Sequence, residues 1–201
     1  MIISHHGVVP FIDHVAWVAP DATICGAVHI GANTRVMHGA RVIAEGGEIR
    51  IGRYCVVMEN AVVRSTARHS AEIGDHCLIG PNAHVVGCSI EDEVFLATGA
   101  AVFHGARLGR GAEVRVNGVV HLRSHLPAGA TVPIGWVALG DPIRILPPDK
   151  HDEIWDVQKP LNFPLHVYGF DRGEADMIKI TTRLCNELVE HRNDTIASSG
   201  R

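Results

Sequence analysis

Ile73-Gly74-Asp75-His76-Cys77-Leu78-Ile79-Gly80-Pro81-Asn82-Ala83-His84-Val85 is the stretch whose reading decides the fold. An aliphatic residue returns at every sixth position, Ile73, Ile79 and Val85, and a small residue, Cys77 or Ala83, stands four places after each of the first two. Upstream the same beat runs through Ile24, Ile30, Val36 and Val42, then Ile51, Val57 and Val63. Downstream, after one five-residue step, it resumes at Ile90 and continues through Leu96, Val102, Leu108, Val114, Val120, Leu126 and Val132. Neither a helix with about 3.6 residues per turn nor a strand alternating every second residue produces that interval. A flat-sided coil does, with each six-residue unit forming a short strand and a corner. The branched residue fills the interior, and the small one lets the chain bend.

Three units close a coil of about eighteen residues, and coils stack at strand spacing, about 4.8 Å. Residues 12 to 137 then form about seven coils and a prism about 34 Å long. Stacking should align Leu96, Val114 and Val132 in one interior ladder and Val85, Val102 and Val120 in another. Such a solenoid buries a continuous core because each coil covers the apolar face of its neighbour. The composition agrees: 46% of residues are hydrophobic but only 5% aromatic, so the core is aliphatic. The expected class is a parallel β-helix over residues 1–146, followed by a C-terminal helical tail over residues 147–201.

The net charge of −4 and the lack of a basic cluster argue against a nucleic-acid partner. No segment is long and apolar enough to suggest a membrane partner, and no secretory leader is recognisable at the start. Five cysteines without a CxxC pair indicate reduced thiols and a cytoplasmic setting. Cys55 and Cys77 share one repeat position and are expected side by side as buried apolar thiols.

The beat breaks in three places. Residues 64–72 exceed one repeat and are expected to bulge outward as a loop, and residues 45–48 as a smaller one; insertions of this kind gather on binding faces. Beyond Gly140-Asp141-Pro142 the pattern ends. Asp149 is placed to cap a short helix from 150 to 157, stopped by Pro160. A second helix is expected over about 174–190, with Met177, Ile180, Leu184 and Leu188 as its apolar stripe, and residues 193–201 as a frayed end.

The run Ile49-Arg50-Ile51-Gly52-Arg53-Tyr54-Cys55-Val56-Val57-Met58-Glu59-Asn60-Ala61-Val62-Val63 resembles the γ-class carbonic anhydrases. So do Glu72-Ile73-Gly74-Asp75-His76-Cys77-Leu78-Ile79-Gly80, Gly87-Cys88-Ser89-Ile90 and the closing Pro133-Ile134-Gly135-Trp136-Val137-Ala138-Leu139-Gly140-Asp141-Pro142-Ile143-Arg144. The family belongs to the wider group of hexapeptide-repeat proteins, which includes acyltransferases. The resemblance covers residues from about 10 to 148. It implies a left-handed β-helix, a C-terminal helix and a homotrimer with sites between subunits. It also implies three zinc-binding histidines, and the repeats align those positions with Arg64, Pro81 and Val86. The family's arginine–glycine–aspartate stretch falls on Ile43-Ala44-Glu45 and its supporting glutamine on Met58. None of the three aligned residues ligates zinc as an imidazole does, so no metal is assigned and inherited hydration of carbon dioxide is not expected.

His69, in the longer insertion, His84 on the strand after Pro81, and His104 one coil further on are the candidate catalytic residues. Arg64, Glu59 and Asn82 are the candidate substrate-binding residues. The hexapeptide acyltransferases that the chain resembles use a loop histidine as general base, which implies that role for His69, with His84 or His104 next. A neutral imidazole with a pKa near 6.5 suits the proton transfer, and Arg64 suits a substrate phosphate or carboxylate. The expected function is a CoA-dependent acyl (acetyl) transferase or acyl-CoA-using hydrolase, with acyl-CoA as co-substrate and a small-molecule acceptor. The alternatives are a non-catalytic trimeric scaffold or small-molecule binder, and a carbonic anhydrase with a remodelled metal site. The other histidines, His5, His166 and His191 among them, read as structural or exposed.

Overall fold

A computed structural model of the chain describes residues 1–197. Its body is a β-solenoid of three parallel sheets. One face carries eight rungs, from Ile2–Ser4 through Thr23–Cys25, Arg41–Glu45, Val62–Thr66, His84–Val86, Ala101–Val102 and Val119–Val120 to Val137–Leu139. The other two faces carry seven rungs each. The register follows the eighteen-residue advance, shortened to seventeen across the five-residue step: Leu96 pairs with Val114 and Val114 with Val132, while Val85 pairs with Val102 and Val102 with Val120. These residues are fully buried, so both expected ladders exist. The first rung lies within the expected β-helix span of residues 1–146 but ahead of the six-residue beat, so the count of about seven coils over residues 12 to 137 did not include it.

Asparagine and glycine recur at the corners because the backbone there turns left-handed, as at Asn33, Gly39, Asn60, Asn82, Gly99 and Asn117. At another corner the rungs approach so closely that a Cβ on Gly52 would lie 2.6 Å from the Gly74 carbonyl oxygen. Cys55 and Cys77 are buried on adjacent rungs, each thiol donating to a backbone carbonyl, Gly74 and Glu91 respectively.

The longer insertion does not protrude as a free loop. The strand Val62–Thr66 continues past the usual two-residue length, pairing residue by residue with Arg41–Glu45, and a tight turn closes on paired hydrogen bonds between Thr66 and His69. The two insertions are therefore one feature. Each satisfies the other's backbone groups, which a lone loop could not do.

Beyond the solenoid, Arg144–Leu146 turns back antiparallel on the last rung. Helix α1 spans His151–Gln158, with Lys150 rather than Asp149 at its N-cap and no side-chain cap bond. Helix α2, Phe163–Tyr168, was not foreseen; it is short and begins beside Pro164. Helix α3 spans Met177–Leu188 and is capped by Asp176, whose carboxylate accepts from the Lys179 N–H. Its Ile180 is buried, while Met177 and Ile178 are exposed. The expected frayed end is corrected in part: Thr195–Ile196 pairs antiparallel with Ile2–Ser4 at the edge of the sheet, satisfying an otherwise open strand. Residues 198–201, the rest of that end, lie outside the described residues. Among the described residues no helix is long and apolar enough to cross a membrane.

Candidate functional site

Alternation along the strands of the eight-rung face sends Val63 and Val85 into the core and leaves their neighbours on the outer surface. Arg64 and Val86, two of the positions that the family resemblance aligns with metal ligands, sit opposite each other on adjacent rungs. The C-terminal helices cover part of this surface and enclose a cavity of about 660 Å³. Its floor includes Arg64, His84, Val86, Phe103 and His104; α2 adds Phe163, Val167 and Tyr168, and α3 adds Ile180, Arg183 and Leu184. Arg68 lies at the turn beside it, and His5, Glu45 and His191 line its other end.

The imidazoles differ in environment. His104 is 7% exposed, and its Nδ1 is buried without a hydrogen-bond partner among the described residues. Burial, reinforced by the neighbouring His69, His166, Arg64 and His84, pushes its pKa down to about 4. At neutral pH it is therefore held as an uncharged imidazole. His84 is also lowered, by burial first and then by the Arg64 guanidinium. His69 is not among the cavity-lining residues. Its Cβ packs on Gly87, and its ring lies 5.5 Å from His104 and 4.6 Å from His166. Burial and then Arg68 lower the His69 pKa. His166, brought in by α2, has a buried Nε2 without a partner among the described residues. The sequence offered no signal for that contact, since a six-residue helix carries almost no periodicity.

Arg64 donates to Glu45 at 2.6 Å on the paired extension. Glu59 and Asn82 fall outside the cavity wall. They occupy stacked corners of the prism, where the Asn82 N–H donates to the Glu59 carbonyl, and the Asn82 side chain is exposed.

A second cluster lies where the first rung meets the C-terminal segment. One donor atom from each of His5, Cys25, His191 and Asp194 lies within 4.8 Å of the others. The sequence reading left His5 and His191 as structural or exposed and assigned no metal; here the fold assembles four potential ligands. Asp194 accepts from His5 Nδ1 at 2.6 Å and from His191 Nδ1 at 2.7 Å. Hydrogen bonds from these two imidazoles hold the Asp194 carboxyl below its usual range despite burial, while His191 is raised chiefly by the same bond.

Eight stacked rungs with an aliphatic interior define the class: a hexapeptide-repeat β-helix protein. No family model matches the chain. The chain is 29% identical over 151 residues to a mitochondrial γ carbonic anhydrase of Arabidopsis thaliana, covering 72% of this chain and 53% of that protein. Among solved structures, a hexapeptide transferase family protein of Anaplasma phagocytophilum superposes with a TM-score of 0.64 at 18% identity, over 96% of this chain and 95% of that one. A UDP-N-acetylglucosamine acyltransferase of Francisella novicida gives a TM-score of 0.54 at 15% identity, over 91% and 86%. These two likenesses are of fold. Within the class, the chain is similar in sequence to γ carbonic anhydrases. It spans about half the length of the first curated relatives that it matches, 53% and 45%.

Proposed function

We propose that the protein transfers an acyl group from a CoA-type thioester to a small hydroxyl or amine acceptor. The observation that carries this reading is the His104 imidazole, held uncharged by burial, in the wall of a cavity beside His84 and Arg64. His104 takes the proton from the acceptor as its oxygen or nitrogen attacks the thioester carbonyl; the C–S bond breaks and the proton leaves with the thiolate as free thiol. His69, whose ring lies against His104, is not among the residues that line the cavity, so this reading puts the general-base role on His104. Arg68 and Arg183, near the turn and α3, suit the phosphates of such a donor. Trimerisation, inferred from the family resemblance, places further residues around the outer face of each subunit. Light scattering that gives the mass of a single chain at micromolar concentration removes that part.

Carbonic anhydrase activity, named for the sequence relatives, does not fit the residues at the positions that the family resemblance aligns with metal ligands. Arg64 is a cation bound to Glu45, Val86 is aliphatic, and Pro81 offers no side-chain donor. No step is derived through a metal there.

The test is release of free thiol from a panel of short acyl-CoA donors with hydroxyl and amine acceptors. His104→Ala should lower turnover at least about 100-fold with the fold intact. Binding is read separately by thermal shift, where a ligand at a hundred times its dissociation constant adds about 2.7 kcal/mol. No shift with CoA or acyl-CoA and no thiol release discards the reading. The Arg64–Glu45 ion pair then supports the second one, a non-catalytic scaffold in which the old ligand position has become a structural contact.

A further inference from the structure

We propose that His5, Cys25, His191 and Asp194 form a four-coordinate site for a zinc-class divalent cation, which fastens the C-terminal segment to the first rungs of the solenoid. The site is distinct from the positions that the family resemblance aligns with metal ligands.

The donors come from four separate places. His5 follows the strand Ile2–Ser4, Cys25 ends the strand Thr23–Cys25, His191 lies in the 3-10 turn after α3, and Asp194 precedes the strand Thr195–Ile196. His5 and Cys25 are 5% and 3% exposed, although Cys25 occupies the outer side of its sheet. The C-terminal segment is what covers them. The Cys25 thiol lies 3.9 Å from Asp194 Oδ2, and the rings of His5 and His191 stack with centroids 4.4 Å apart.

The donor set is selective. Two imidazoles, a thiolate and a carboxylate carry two negative charges, which balance one divalent ion. Sulfur and nitrogen donors favour zinc-class ions over magnesium or calcium. Tetrahedral zinc at about 2.0–2.3 Å from each donor separates the donors by about 3–4 Å. The present separations, 2.6 to 3.9 Å along Asp194, are near that range. On binding, the Cys25 thiol proton is released to solvent as the S–metal bond forms. Each imidazole ligating through Nδ1 keeps its single proton on Nε2. For His191 that Nε2–H then faces Glu45 Oε1, now 3.6 Å away. Ligating histidines commonly donate their second ring N–H to a carboxylate in this way. Glu45 is in turn held by Arg64, so the outer support of the site is already in place.

The alternative is a metal-free hydrogen-bond network in which Asp194 simply accepts from both histidines. The two separate experimentally. The full chain, purified under reducing conditions, is stripped with a chelator, reloaded with Zn(II) or Co(II) and analysed for bound metal. The expected result is one ion per chain, with thiolate-to-cobalt charge-transfer absorption in the cobalt form. Cys25→Ser should abolish that absorption, and His191→Asn, at the more open edge of the cluster, should weaken binding at least tenfold. Loading should also protect the amides of residues 189–197 from hydrogen exchange. Failure of the wild-type chain to bind either ion overturns the proposal. So does stoichiometric binding that persists unchanged in both variants, since the ion would then sit elsewhere.

Discussion

Arg64 reaches Glu45 across two paired strand extensions, with Nη2 2.6 Å from Oε1. A guanidinium–carboxylate pair thus stands at a position that the family resemblance gives to a metal-binding imidazole. It also joins the histidine-walled cavity to the His5–Asp194 cluster, because Glu45 faces both.

The pair is partly open to water, with Arg64 38% exposed, so screening limits its contribution to about 0.5–1 kcal/mol. A double-mutant cycle of Arg64→Met and Glu45→Gln, read by chemical denaturation, should return a coupling of that size. Coupling near zero would show that the pair contributes only position.

Stability should fall with acidity in a window set by His104. Its folded pKa of about 4 lies below the ordinary histidine value of 6.5. The unfolded chain therefore binds the proton first as pH drops. The stabilisation is whole above the unfolded pKa, erodes below it, and is lost as pH passes through the folded value. The amount is about 1–3 kcal/mol. Urea titrations at pH 7, 5.5 and 4.5 should show the decline, and His104→Gln should flatten it by about one proton. An equal slope in the variant would mean that other groups set the acid limit.

Leu96 sits at zero exposure in the interior ladder between Ile79 and Val114. Leu96→Ala removes a branched side chain that the rigid rungs cannot collapse around, and should cost about 2–5 kcal/mol. Calorimetry at unchanged far-ultraviolet signal is the check. A change below about 1 kcal/mol would contradict the packed aliphatic core.

Gly52→Ala tests the corner stack. The added Cβ would meet the Gly74 carbonyl oxygen at 2.6 Å and Asp75 Oδ1 at 2.4 Å. The side chain can move but the rung backbone cannot without disturbing the coil, so a loss of about 1–3 kcal/mol is expected. An unchanged melting temperature would show that the rungs can separate there.

Most of the solenoid was legible because its determinant is local: an aliphatic residue every sixth place, a small one at each bend, and an eighteen-residue advance that turns remote positions into neighbours. The ladders through Leu96 and Val85 follow from that arithmetic. The first rung and the antiparallel ends escaped it. Three-residue strands at the chain's margins carry no repeat, and they form because an open sheet edge has backbone groups left to pair.

The candidate site was legible only in fragments. His84, His104 and Arg64 could be named because the repeat places them on one outer face. That His69 backs His104 instead of entering the cavity depended on the pairing of two insertions, which converts an expected loop into a longer strand. Cys25 and Asp194 are separated by 169 positions and share no motif. Their meeting is decided by where the chain returns after α3. Sequence alone settled what the interior of the prism had to be, since burial and bending impose a strict period on residue type. Only the tertiary structure decided which outward side chains meet, because the outer surface carries no such period and its contacts depend on the path of the C-terminal segment.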